Sequence, residues 1–283
     1  MSSPPVSELT ERARAIFRLV VEGYLEGGLP VGSKTLAAEG GINLSPASIR
    51  SVLSELESLG LLAAPHTSAG RMPTELGLRL FVDGMMQVAE PTAQERAAIE
   101  RRLAEPGPIE AALEATSAVL SDVSGAAGMV MVPRREPRLA QMSLVALDHG
   151  RALAVLVERG LAVWSEDAAR RPVLIVRGQA KLLDEAALGD IERIRSLIDD
   201  LEDKQSVAEL LDRAREAEAT RIFIGSENRL FALSGSAVIA APYRDREGRV
   251  VGVLGVIGPT RLNYARVVPM VDFTARSLGK RIG

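Results

Sequence analysis

Apolar residues recur at three- and four-residue steps through Leu9, Ala13, Ile16, Phe17, Val20, Val21 and Tyr24, which predicts a helix from about Glu8 to Glu26, stopped by Gly27-Gly28. Residues 1–7, with two prolines and three serines, offer nothing to bury. Ser33 fits the N-cap of a short helix over Lys34–Glu39 that ends at Gly40-Gly41. Ser45 followed by Pro46 pairs an N-cap with proline at the first helical position, where a missing N–H costs nothing. That third helix is expected to reach Leu59 and stop at Gly60, with Ile49, Val52, Leu53, Leu56 and Leu59 as one apolar stripe. Ala47, Ser48, Arg50, Ser51, Ser54 and Glu55 then turn outward to varying degrees, and the N-terminal half carries no acid. A short strand at Leu61–Ala64 and a polar loop bounded by Pro65 and Pro73 follow, in the manner of a wing. The next helix spans Thr74 to about Val88, with Leu76, Leu80, Phe81 and Met85 inward.

The segments Ala89-Glu90-Pro91 and Glu105-Pro106-Gly107-Pro108 bracket a Glu- and Arg-rich helix that reads as a connector, so a domain boundary is placed near residue 90. Beyond it come an amphipathic helix over 108–124 and strands at Ala126–Val132, Met142–Leu147 and Ala152–Val157. A charged helical stretch over about 184–219 precedes strands at Arg221–Ile224, Ala237–Ala241 and Val250–Ile257, and a closing helix runs from about Asn263 to Arg281. Strands bracketed by helices, with the late strands joined by Arg246-Glu247-Gly248, indicate an α+β domain with an antiparallel sheet. The organisation expected is residues 1–89 as one domain, 90–107 as connector and 108–283 as a second domain.

At 283 residues and 47% hydrophobic, the chain has length and apolar content for two modest cores. No apolar run nears the roughly 18 residues of a membrane helix, and MSSPPVSE lacks the basic and apolar regions of a signal peptide, so a cytoplasmic protein without membrane contact is expected. The absence of cysteine excludes disulfides, thiol catalysis and thiolate metal sites; two histidines, His66 and His149, argue against a His-built metal site, and no cofactor is expected. Net charge is −3, and residues 1–79 hold seven Lys/Arg against eight Asp/Glu, so any nucleic-acid contact must come from placement and not bulk charge.

Placement points to double-stranded DNA. An acid-free, capped half-helix suits recognition, because its N-terminal residues approach base edges while its dipole favours phosphate. The candidate contacts are Ser45, Ala47, Ser48, Arg50 and Ser51 on the third helix and Thr67, Ser68 and Arg71 in the wing, where a guanidinium can fork two phosphate oxygens. A solvated Ser/Arg face is the bland alternative for the helix, and a solvated loop arginine for Arg71. His66 is read as shaping the wing by hydrogen bonding. Gly252, Gly255 and Gly258 lack the Gly-Lys-Ser/Thr of a phosphate loop and are read as close backbone approach in a buried strand. Ser234-Gly235-Ser236 is no nucleophile elbow. Arg261, Tyr264 and Arg266 either line a sensor pocket or, as the reading favours, cap a helix and its entry turn. No nucleophile is paired with a base and no carboxylate pair stands in a recognisable motif, so an enzyme is not expected.

The stretch Leu44-Ser45-Pro46-Ala47-Ser48-Ile49-Arg50 through Glu55–Leu62, with the wing Pro65–Thr74, closely resembles the heat-inducible transcription repressor (HrcA) family, as does Gly252–Val268 near the far end. The resemblance implies a winged helix-turn-helix, a GAF-like domain, and a dimerisation domain inserted into the latter. It also implies repression of chaperone operons through an inverted-repeat operator, release on heat stress, and support by a GroEL-type chaperonin. One departure stands out. Gly150–Val157 runs almost at once into Glu158–Trp164, where several tens of residues more belong, so the inserted segment is truncated near 157–172 and the homodimer is expected to be weakened. The alternative reading is a regulator whose GAF-like domain senses a small molecule.

Overall fold

The computed structural model describes residues 8–39, 44–66, 69–132, 141–146, 152–158, 161–162, 173–182, 191–227 and 235–282. The first helix, α1 (Glu11–Gly27), starts three residues later than its apolar pattern, because Thr10 caps it: the threonine hydroxyl oxygen accepts from Ala13 N at 3.2 Å. At its other end the Gly28 amide donates to Tyr24 O at 2.8 Å in a left-handed turn. Helices α2 (Ser33–Glu39) and α3 (Pro46–Ser58) follow, then the two-residue strands β1 (Leu62–Ala63) and β2 (Met72–Pro73) and helix α4 (Glu75–Gly84). Ser33 is itself the first residue of α2 rather than its cap. Helix α4 ends four residues short of Val88, where the amides of Met85 and Met86 both converge on Phe81 O.

Helix α5 (Ala93–Leu103), expected as a connector, carries a Thr92–Glu95 capping box and packs Ile99 and Leu103 on Val119 and Met270. Its charged residues face outward, which is why its sequence reads as polar. Helix α6 (Ile109–Ser124) leads into β3 (Ala127–Val132). Strands β4 (Gln141–Ala146), β5 (Ala152–Glu158) and β6 (Leu161–Ala162) form a separate antiparallel sheet, and β7 (Val173–Arg177) returns beside β3. Helices α7 (Ile191–Glu202) and α8 (Lys204–Arg215), strands β8 (Arg221–Ile224), β9 (Ser236–Arg244) and β10 (Val250–Pro259), and helix α9 (Tyr264–Ile282) complete the chain.

The main sheet has the order β7-β3-β10-β9-β8 with every pairing antiparallel, as an α+β arrangement requires. Alternate residues serve opposite faces. Val130, Ile239, Leu254 and Val256 pack toward α6 and α9, whereas Met129, Met131, Val238, Val253 and Ile257 pack toward α7 and α8. Helices on both sides explain why β10 reads as a continuous apolar run. Gly252, Gly255 and Gly258 lie in this strand, pressed against neighbouring atoms as the sequence reading expected. The apolar cluster on the α6/α9 side is continuous with the residues buried between α1, α3 and α4. Pro269 inside α9 removes the amide that would bond Ala265 O, and the Ala89 amide of the preceding chain takes that carbonyl at 3.1 Å.

Candidate nucleic-acid interface

Ser45 caps α3 as its sequence demands: its hydroxyl accepts from Ser48 N at 3.2 Å and lies 3.0 Å from the Ser48 hydroxyl. Ile49, Val52, Leu53 and Leu56 are buried on one side of α3, against α1 and α2. Leu59, expected to end that stripe, is 41% exposed. Helical periodicity stops at Ser58, and Gly60, with φ at 72°, turns the chain so that Leu61 and Leu62 enter the core instead. The opposite side of α3 presents Ala47, Arg50, Ser51 and Ser54 to solvent at helical spacing. Ser48 is half-buried beside the cap.

The hairpin is anchored at both ends. Leu62 pairs Pro73 and Ala63 pairs Met72, the Leu61 amide donates to Leu56 O at 3.0 Å, and the Thr74 hydroxyl donates to Gly60 O at 2.7 Å. Arg71 extends the hairpin into a third segment by exchanging both backbone bonds with Val31, at 2.9 and 2.8 Å. Gly70 makes that approach possible, since a Cβ there would stand 2.4 Å from the Val31 carbonyl carbon. The His66 carbonyl accepts from Ala69 N at 3.0 Å. Thr67 and Ser68 lie outside the described residues.

The Arg71 guanidinium is engaged. Nε and Nη2 donate to Glu57 Oε2 at 3.0 and 2.8 Å, and Nη1 donates to Ala69 O at 3.4 Å. The structure thus brings Ser45, Ala47, Ser48, Arg50 and Ser51 together on one end and side of α3, and sets Arg71 beside the helix's other end. Three surface residues here were not among the candidate contacts. Ser54, read from the sequence as turned outward, stands one turn beyond Arg50 and Ser51 and is exposed. Lys34 is exposed on α2, and Glu57, fourteen positions from Arg71, gave no signal that it would be its partner.

A second missed cluster joins α4 to the sheet. Arg79 Nε donates to Glu227 Oε1 at 2.6 Å, its Nη2 reaches Ile222 O at 2.7 Å and Glu227 Oε2, and its Nη1 bonds Asp83 at 3.1 Å. Burial alone would pull the Arg79 pKa down, but Glu227 and then Asp83 hold it above the usual arginine value, fixing the charge. Glu75 Oε2 accepts from the backbone and hydroxyl of Ser226 at 3.0 and 2.5 Å. Tyr264, buried beside this cluster, donates to Thr260 O at 2.7 Å, and burial raises its pKa far above the phenol range. Arg266 pairs with Glu95 at 2.7 Å, while Asn263 Oδ1 accepts from the Arg266 amide at 3.2 Å. Tyr264 and Arg266 thus secure the start of α9, in line with the capping reading. Among the described residues no group of His, Asp and Glu is placed to hold a metal, and no helix is long and apolar enough to cross a membrane.

A family model described as the HrcA protein C terminal domain matches residues 110–165 and 156–268. The heat-inducible transcription repressor HrcA of Erythrobacter litoralis (strain HTCC2594) is 67% identical, with all of both chains covered. That of Novosphingobium aromaticivorans is 57% identical over 100% of this chain and 98% of its own. The first alignment spans 346 positions and this chain has 283 residues, so 63 positions hold no residue of this chain. The two matched stretches of the family model meet at 156–165, where the sequence reading places the truncation. A crystal structure described as that of a hypothetical protein at 2.2 Å resolution shares the fold, with a TM-score of 0.68, 19% identity and 97% of each chain covered.

Proposed function

The chain belongs to the HrcA family of heat-inducible transcription repressors, and from that premise we propose that α1–α4 with the β1–β2 hairpin form a winged helix-turn-helix that reads an inverted-repeat operator of chaperone genes. The protein is a repressor and not an enzyme. The observation that carries the proposal is the exposed Ala47–Arg50–Ser51–Ser54 face on a Ser45-capped helix, set beside a hairpin pinned to Val31. In this reading α3 lies in the major groove, with its N-terminal residues at base edges. Arg71, with Thr67 and Ser68 beyond the described residues, meets the flanking phosphates.

The main sheet with helices on both faces supports the GAF-like reading of the regulatory domain. The 63 absent positions fit a shortened dimerisation insert, so the homodimer that a palindrome calls for is weak. Loss of operator affinity on heating and support by a GroEL-type chaperonin complete the proposal.

Footprinting on DNA upstream of its own gene, with sedimentation of the same sample, reports site length, symmetry and stoichiometry together. Neither Arg50 nor Arg71 belongs to the buried stripe, so Arg50→Ala with Arg71→Ala leaves the protein folded. Taking one cation away from a phosphate lowers the log–log salt slope by about 1, and taking a side chain away from a base edge costs about 1–3 kcal/mol. A folded double variant that binds the footprinted site as tightly as the parent protein overturns this surface.

A further inference from the structure

The geometry points to Glu57 as the positioning residue that aims Arg71 at a DNA phosphate. The inference rests on the reading of Arg71 as a phosphate contact and goes beyond it, because a carboxylate beside a DNA-facing arginine would ordinarily be counted only as repulsion. A guanidinium has two edges able to fork an oxyanion, the Nε/Nη2 side and the Nη1/Nη2 end. Glu57 Oε2 accepts from the side edge through Nε and Nη2. The end edge carries only the long bond from Nη1 to Ala69 O among those described, and so keeps N–H groups for a phosphate.

The backbone is restrained as well. Both Arg71 bonds to Val31 hold the main chain, and Gly70 fits it closely against the Val31 carbonyl. The side chain is 21% exposed, reachable from solvent yet enclosed on most sides. With backbone and side edge fixed, little rotamer entropy remains to be lost when the end edge meets its anion. Because Glu57 sits in the last turn of α3, the same pair fixes the distance between the recognition helix and the wing.

The opposite role is that Glu57 mimics phosphate and competes for Arg71. A double-mutant cycle separates the two, since the general repulsion between Glu57 and DNA cancels in it. Binding of a labelled duplex spanning the footprinted site is measured for the parent protein, Glu57→Gln, Arg71→Ala and the double variant, across a salt series. A random-sequence duplex of equal length is run beside it. Positioning predicts that Glu57→Gln weakens binding about fivefold more when Arg71 is present than in the Arg71→Ala background. It also predicts a shallower salt slope for Glu57→Gln on both duplexes, which a purely structural role would not produce. A cycle ratio of one, or a reversed ratio with a steeper slope, overturns the inference while leaving Arg71 as a phosphate ligand. If Arg71→Ala alone changes neither affinity nor slope, the phosphate role of Arg71 has itself failed, and the role of Glu57 falls with it.

Discussion

Asp122 shows how a single side chain holds α5 and α6 in place. Its Oδ1 accepts from Lys181 Nζ at 2.6 Å and its Oδ2 from Arg102, joining α6 to α5 and to the turn after β7. The Lys181 hydrogen bond, then that of Arg102, lowers its pKa below the usual aspartate value against a smaller opposing effect of burial. A carboxyl whose folded pKa is lowered adds stability that is fully present above its unfolded value and is lost as pH falls through the folded one. Asp122→Asn therefore flattens the acid limb of the stability curve below about pH 4. The three groups are about half-exposed, so screening holds the neutral-pH loss to under about 1 kcal/mol. Urea unfolding at a series of pH values checks this, and an unchanged acid limb in the variant would show the network to be idle.

At the scale of elements, α4 illustrates packing overruling propensity. Gly77 is the third residue of the helix, in its first turn, where alanine's better helix propensity, up to about 1 kcal/mol in a helix interior, would still favour the helix. A Cβ at Gly77 would stand 2.1 Å from Leu61 O, at the point where the hairpin's first strand is anchored. Gly77→Ala is thus expected to destabilise the protein by about 2 kcal/mol, as overpacking does. Denaturant unfolding decides it, and a gain in stability would return the decision to propensity. The same contrast explains how much was legible in the sequence. Helix α3 announced its cap, its stripe as far as Leu56 and the turn at Gly60, since all three depend on neighbours within a few residues. The candidate face of α3 followed from the same periodicity. Strand β7 escaped the reading: Val-Leu-Ile-Val-Arg is five residues with no alternation, and only Pro172 and Gly178 mark its ends. Leu59 was misplaced because a stripe drawn by spacing does not show where the helix unwinds. The Glu57–Arg71 and Arg79–Glu227 pairs join residues 14 and 148 positions apart, and no local pattern specifies such partners.

For the whole molecule, the proposed function raises the question of how warming the main sheet would reach α3, the candidate recognition helix. The path the structure offers is α4. Its first residues seat the hairpin through Thr74 and Gly77, and Glu75 and Arg79 bind the Ile222–Glu227 edge of the sheet. On the proposed reading, a transition that frees β8 from α4 would free the base of the β1–β2 hairpin, and two heads that lost a fixed spacing would lose an inverted-repeat operator. Arg79→Ala removes the fork on Glu227 and the bond to Ile222 O while leaving Arg50 and Arg71 in place. Removing charged hydrogen bonds of this kind costs about 2 kcal/mol, which for a chain of this size lowers a thermal midpoint by about 3 °C. Operator release on heating, followed by anisotropy of the labelled site, is expected at a correspondingly lower temperature, with affinity well below the midpoint unchanged. Arg276→Ala serves as control, since its pair with Asp272 is a solvent-exposed one within α9. If Arg79→Ala lowers the unfolding temperature but leaves the release temperature where it was, release does not pass through α4. On the proposed dimer reading, the coupling would then lie between subunits, where the shortened centre would make release depend steeply on protein concentration, which repeating the anisotropy melt over a dilution series checks.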